Sequence, residues 1–323
     1  MAESRKTYRM RLRMRVRQRL KMDENHRRLL IEGREVTIKS PDVTDSSFET
    51  TWLVLNARGF QTAAEAKAFG ERLKLACEVA SISSRLGINT GADSFSTFVG
   101  ESVVDIARQH GMELRGDIHG LDVFKDDEAV RIMSSSASSV STTSNPTAFF
   151  ARLSSTFKAV GNLNDGTSKL TYLFNLALMN RDPIAQIVLA CSAVEALGQN
   201  EKWTESQKQI IAEAAMQVKT IDIGTEEERV EVSDAIQKGV FRLSLRQGVF
   251  RLLDRLGLTD LKKLWDELYT LRSTLVHGST TERGEGHYKL ASRVLSLCGV
   301  IVLKELGSQI PGVGDDMEMY QPE

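Results

Sequence analysis

Between Tyr8 and Met22 arginine falls on every second residue. Arg9, Arg11, Arg13, Arg15, Arg17 and Arg19 alternate with Met10, Leu12, Met14, Val16, Gln18 and Leu20. Period two is the signature of an extended strand, in which successive side chains point to opposite faces. On a helix, at about 100° per residue, the arginines would scatter around the axis and leave no apolar side to bury. The chain must therefore hold a sheet with one long strand, apolar on one face and lined with guanidinium groups on the other. The same period argues against an amphipathic helical presequence. No apolar run follows the basic start, so a secretory signal is not expected either.

The arginine face has two readings. Arginine pairs bidentately with phosphate, so Arg9, Arg11, Arg13, Arg15, Arg17 and Arg19 form a candidate nucleic-acid-binding row. The other reading is a solvated strand face neutralised by cross-strand acids such as Glu32 and Glu35, its arginine stems covering apolar surface. Apart from Tyr8 no aromatic residue interleaves the row, which excludes a base-stacking platform on this strand. A formal net charge of -1 means that the molecule as a whole does not attract polyanions by bulk charge.

Residues 29–40 add strand with a turn at Gly33, and residues 51–56 a further strand. Residues 61–86 read as a helix. Thr62 followed by Glu65 opens it in the manner of a capping box, and Ala66, Phe69, Leu73 and Ala76 form its apolar stripe. A shorter helix is expected over 98–110 and a return to the sheet over 121–133. Residues 1–133 are thus expected to form an α+β domain, a sensor or recognition module with the arginine-rich strand first. The Ser-rich stretch 134–145, ending before Pro146, reads as a linker or long surface loop.

From Pro146 on the pattern is helical, with helices expected over 147–163, 167–179, 183–197, 204–220, 226–240, 243–256, 259–277 and 284–306. Pro183 suits a first helical turn. Residues 146–307 therefore read as an all-α helical bundle, and 308–323, with Asp315, Asp316 and Glu318, as a disordered acidic tail. In the helix read over 259–277, Thr259 is the expected N-cap. Leu261, Leu264, Leu268, Leu271 and Leu275 form the stripe, with Arg272 at its edge and Gly278 as the stop. Arg272 and His277 bracket the end of this helix. Five positions apart they diverge by roughly 140° on an unbroken helix. Bringing both to one atom needs either a break before Gly278 or two copies of the motif meeting across a symmetry axis.

LYTLRSTLVHGS resembles the R-x4-6-H signature near the end of a core helix in the HEPN superfamily, and its LRSxLVHG form is most similar to the Apea-like branch. IAQIVLACSAVEAL, an apolar helix carrying Glu195, is similar to a second helix of that branch. The resemblance covers the C-terminal half, from about 146 to 306. Many members have Asn, Asp or His directly after the arginine, where this chain has Ser273. The resemblance implies metal-independent RNA cleavage at a cleft formed by a homodimer of the helical domain. Arg272 and His277 would be catalytic and Glu195 would orient one of them, with Tyr269 and Ser273 as assisting candidates. It also implies a toxin or anti-phage defence effector, with RNA and a regulatory protein as partners. The alternative is a non-catalytic HEPN-like dimerisation and scaffold module that binds a protein partner.

No H-x3-H, HExxH or CxxC spacing occurs, so neither metal nor cofactor is expected. Cys77, Cys191 and Cys298 each lie in an apolar helical pattern and read as buried free thiols of a reducing compartment. No apolar run is long enough for a membrane span, and the expected location is cytoplasmic.

Overall fold

The structure is a computed structural model that describes residues 7–22, 26–40, 48–95, 101–127, 129–133, 143–144, 147–239, 243–276 and 285–320. In chain order the first half holds β1 (Tyr8–Met22), β2 (His26–Ile31), β3 (Arg34–Lys39), β4 (Phe48–Phe60), α1 (Ala63–Ser83), β5 (Ile88–Asn89), β6 (Ser94–Phe95), α2 (Glu101–Gln109), β7 (Glu113–Gly116), β8 (Ile118–Lys125), β9 (Val130–Met133) and β10 (Thr143–Ser144). The second half is helical. It comprises α3 (Thr147–Thr156), α4 (Asp165–Met179), α5 (Pro183–Gly198), α6 (Glu205–Val218), α7 (Glu226–Gly239), α8 (Leu245–Arg255), α9 (Lys262–Val276) and α10 (Glu285–Gln309), with 3-10 turns at Val160–Asn162, Thr259–Leu261 and Val313–Tyr320. An antiparallel sheet region followed by a helical region is the architecture expected from the two sequence periods.

The arginine-alternating segment is the spine of the sheet, whose main path runs β2-β3-β4-β1-β8-β6. β1 pairs antiparallel with β4, β5 and β8, and parallel with β10 at Arg19 and Leu20. Met10, Leu12, Met14 and Val16 are buried on the side that faces α1. At about 1.5–3 kcal/mol for each fully buried side chain, this face alone suffices to fix the register of the strand. The β2–β3 hairpin turns through Glu32 and Gly33, both at positive φ, so the expected turn at Gly33 sits where glycine meets least strain.

α1 starts as the sequence indicates. The Thr62 side chain accepts from the Glu65 backbone, and Glu65 accepts from the backbone of Gln61 rather than from that of Thr62 itself. Its first half covers the sheet on one side only. In its second half every residue from Ala76 to Ser83 is buried. A helix buried on all sides has an element on every face, and here those are β1 and β8 on one side and α3, α4 and α10 on the other. A single cluster of buried apolar side chains therefore runs from Met10 to Tyr320.

The acidic segment after α10 is a correction to the sequence reading of a disordered tail. Val313–Tyr320 forms a 3-10 turn docked on α10, with Val313 and Tyr320 buried and the Tyr320 hydroxyl donating to the Ile82 carbonyl at 2.8 Å. Two apolar anchors outweigh the acids, which turn outward or pair, as Asp316 does with Arg152 at 2.6 Å. Of the expected linker only Thr143–Ser144 is described, as β10; residues 134–142 lie outside the described residues. Cys77, Cys191 and Cys298 are buried and free, as expected.

Candidate functional site

α5 is the central helix of the bundle. Asp182 caps it by accepting from Ala185, and Pro183 occupies the first turn. Ile187, Ala190, Cys191, Ala193, Val194 and Leu197 are all buried, and α4, α8, α9 and α10 surround the helix. Glu195 therefore carries a carboxylate, 7% exposed, inside an apolar bundle. Burial of an unpaired carboxylate is costly, so the surroundings must supply a cation or donors.

α9 supplies the cation. Its most buried residues are Trp265 and Leu268, with Tyr269 and Arg272 half-buried beside them. Spacings of three, four and seven residues put all four on one face. This corrects the leucine stripe at one position: Leu268 is buried and Leu261, Leu264 and Leu275 pack on the core, but Leu271 is 39% exposed, because it lies to one side of the face centred on Trp265, Leu268 and Arg272. Arg272 thus belongs to the inner face of the helix and is not at its edge. Thr259 also departs from the expected N-cap role, since its hydroxyl donates to Asp254 at 2.9 Å.

Arg272 Nη1 lies 3.7 Å from Glu195 Oε1. The Trp265 ring stacks on Tyr269 at 5.6 Å, and the Arg272 guanidinium sits over Tyr269 at 5.5 Å, so the three side chains form a column beside Glu195. Burial, and then the adjacent Glu195 carboxylate, push the Tyr269 hydroxyl above its ordinary pKa. Glu195 also lies close to Cys298, whose thiol is raised by burial and by contact with Cys191. A distance of 3.7 Å is an ion pair but not a hydrogen bond. Glu195 Oε1 and Arg272 Nε are both buried without a hydrogen-bond partner. The site therefore holds a guanidinium anchored by charge, its Nε buried and 20% of its side chain exposed.

Ser273 is half-buried on the same helix, and Thr274 returns its hydroxyl to the Thr270 carbonyl at 3.0 Å. His277 lies outside the described residues, which stop at Val276 and resume in α10. Among the described residues no group of three or more His, Cys, Asp or Glu could hold a metal ion.

The arginine row is divided by its partners. Arg11 and Arg13 are 7% and 1% exposed, and both pair with Asp117, which is fully buried. Arg13 Nε lies 3.1 Å from Asp117 and its guanidinium covers the Trp52 ring at 3.9 Å. Neither is open to a phosphate. Arg15 is exposed, and Arg9 and Arg17 are half-buried. The compensating acids are also different from those expected. Glu32 pairs with Arg72 at 3.0 Å and Glu35 with Arg28 at 3.7 Å, because the β2–β3 hairpin carries both away from β1. Asp117 gave no signal in sequence, being a single carboxylate in a loop-like stretch. Trp265 could have been found from its spacing to Tyr269 and Arg272.

Compared with known proteins, the chain matches no family model, no curated protein and no solved structure. No described helix is long and apolar enough to cross a membrane.

Proposed function

We propose that the chain is a metal-independent endoribonuclease of HEPN type, acting as a homodimer through the helical domain, with Arg272 and His277 as its catalytic pair. The observation that supports this reading is the Arg272–Glu195 contact. It joins the two helices whose sequences resemble the HEPN signature, and it leaves 20% of the Arg272 side chain exposed. RNA carries its own nucleophile. The 2′-OH attacks the neighbouring phosphorus, the 2′-O–P bond forms and the P–O5′ bond breaks. The proton lost by the 2′-OH and the proton gained by the 5′-oxygen both need a carrier, and an imidazole serves near neutral pH. Arginine stays charged throughout and binds the phosphoryl oxygens more strongly as charge builds on them. Glu195 holds Arg272 by Nη1, and the exposed part of the side chain is what the reading offers to phosphate. In a two-fold dimer each copy of the motif supplies one of the two proton carriers, which also answers the divergence of Arg272 and His277 on one helix. A toxin or anti-phage defence effector is the biological setting this activity fits.

The test is cleavage of RNA by the purified full chain with EDTA present, together with growth of cells that express it. Wild type is expected to cut RNA and arrest growth. His277→Ala is expected to lose at least about a hundredfold in rate, the lower end for a general acid–base, and to permit growth. A folded wild type that cuts no RNA and arrests no growth would favour the non-catalytic scaffold.

A further inference from the structure

The sheet has a second face, opposite α1, whose charge the ribonuclease chemistry does not use. Strand register places Arg11 opposite Asn56, which faces Thr37 on its other side, and Arg13 opposite Val54, which faces Lys39. Lys39 in turn faces His26, and Thr37 faces Arg28. Asp117 takes up Arg11 and Arg13, and Asp122 is held by Arg115 at 3.2 Å. What remains toward solvent is basic. Arg15, Arg28, Lys39 and Arg58 are exposed, and Arg9 is half-buried. Arg28 and Arg58 meet Glu35 and Asp126 only at 3.7 Å, with more than half of each arginine side chain exposed. Arg9, Arg15 and Lys39 have no ion pair among the described residues. The groups crowd one another. The Lys39 ammonium is lowered by burial and then by Arg11, Arg58 and Arg9, and Arg9 is lowered by burial and then by Arg58. Like charges held together on a chain of net charge -1 are a local feature, not a bulk one.

We infer that this outer face, through Arg9, Arg15, Arg28, Lys39 and Arg58, binds the phosphate backbone of single-stranded RNA and delivers it to the helical half. The inference rests on the ribonuclease reading for the identity of the strand. Its contacts are sequence-tolerant, because the aromatic faces that could stack on bases are already occupied. Arg13 covers Trp52, and Arg9 covers Phe124 at 4.3 Å. Arg11 and Arg13, the middle of the sequence row, are excluded from binding by Asp117 and serve to hold the face together.

Binding is tested by fluorescence anisotropy of the full chain with a labelled single-stranded oligonucleotide, as RNA and as DNA. The DNA lacks the 2′-OH, so no cleavage by this chemistry disturbs its binding. Two variants carry the same loss of charge. One replaces Arg15, Arg28, Lys39 and Arg58 with Gln. The other replaces Lys67, Lys158, Lys263 and Lys289, exposed residues elsewhere, with Gln. At about 0.7 per phosphate contact on single strands, the first is expected to flatten the slope of log K against log salt by about 3. The second should leave it unchanged. Equal binding by the first variant and wild type would overturn the inference. So would an equal loss in both variants, or displacement of the oligonucleotide by polyglutamate at equal charge concentration, which would indicate an acidic protein partner. Lost face binding with intact cleavage at low RNA concentration would overturn delivery by this face, whereas intact binding with no cleavage sinks the ribonuclease reading alone.

Discussion

Two buried carboxylates in this molecule each meet arginine, and they do so differently. Asp117 is fully buried and takes Arg11 and Arg13 together, one of them capped by Trp52, so that neither charge is left for solvent or ligand. Glu195 meets one arginine, at 3.7 Å and without a hydrogen bond, with 20% of the Arg272 side chain exposed. The first arrangement is what a sheet needs to bury a cationic row. The second is a looser clamp and leaves part of the guanidinium side chain in solvent, as the proposed phosphate-binding role requires. The number, closeness and burial of the pairs, more than the presence of arginine, separate the two arrangements.

The largest expected effect follows from removing the doubly paired acid. Asp117→Ala strands two interior guanidinium charges and should cost about 3–5 kcal/mol, read as a fall in the urea midpoint. A loss under about 1 kcal/mol would mean that the pairing is no firmer than a surface bridge. Next comes the joint between the halves. At Gly299 an added Cβ would fall 2.0 Å from the Tyr320 ring, so Gly299→Ala should push the 3-10 turn off α10 at a cost of about 1–3 kcal/mol. The same urea titration checks it, and an unchanged midpoint would return the acidic segment to a tail. Glu195→Gln should be milder, about 1 kcal/mol, because its pair is loose and partly wet. A loss as large as that of Asp117→Ala would erase the contrast between the two sites.

Glu78 extends the comparison to a carboxylate met by hydroxyls. Thr90 and Thr171 donate to it at 2.7 and 2.8 Å, yet burial dominates and raises its pKa. The folded state therefore holds the proton more tightly than the unfolded state does. Stability from this group is fully present at low pH and falls as pH rises from the ordinary carboxylate range through the raised folded value. Glu78→Gln should flatten that part of the stability–pH curve. A wild-type curve that instead rises with pH relative to the variant would show Glu78 ionised throughout.

The parts of the fold that were legible in sequence are those set by local periodicity. Period two marked β1 from Tyr8 to Met22, and Thr62 with Glu65 marked the start of α1. What could not be read depends on long-range partners. Nothing local to Asp117 says that it will neutralise Arg11 and Arg13 from 106 residues away in the first case. Nothing in GVGDDMEMY says that Tyr320 will find Ile82, or that α1 will be buried on both sides. The pairing of Arg272 with Glu195 was anticipated through resemblance, whereas the exposure of Leu271 and the burial of Trp265 were not, since leucine spacing alone weighs every leucine equally.

The claim that Arg272 is the arginine with chemistry left to do is tested most directly by the ends of the RNA it produces. Attack by the 2′-OH leaves a 5′-hydroxyl on each downstream fragment. RNA incubated with folded full chain in EDTA should gain 5′-hydroxyl ends with wild type, and at least about a hundredfold fewer per unit time with Arg272→Ala. Equal numbers of such ends from the two proteins, or none from either, would contradict it.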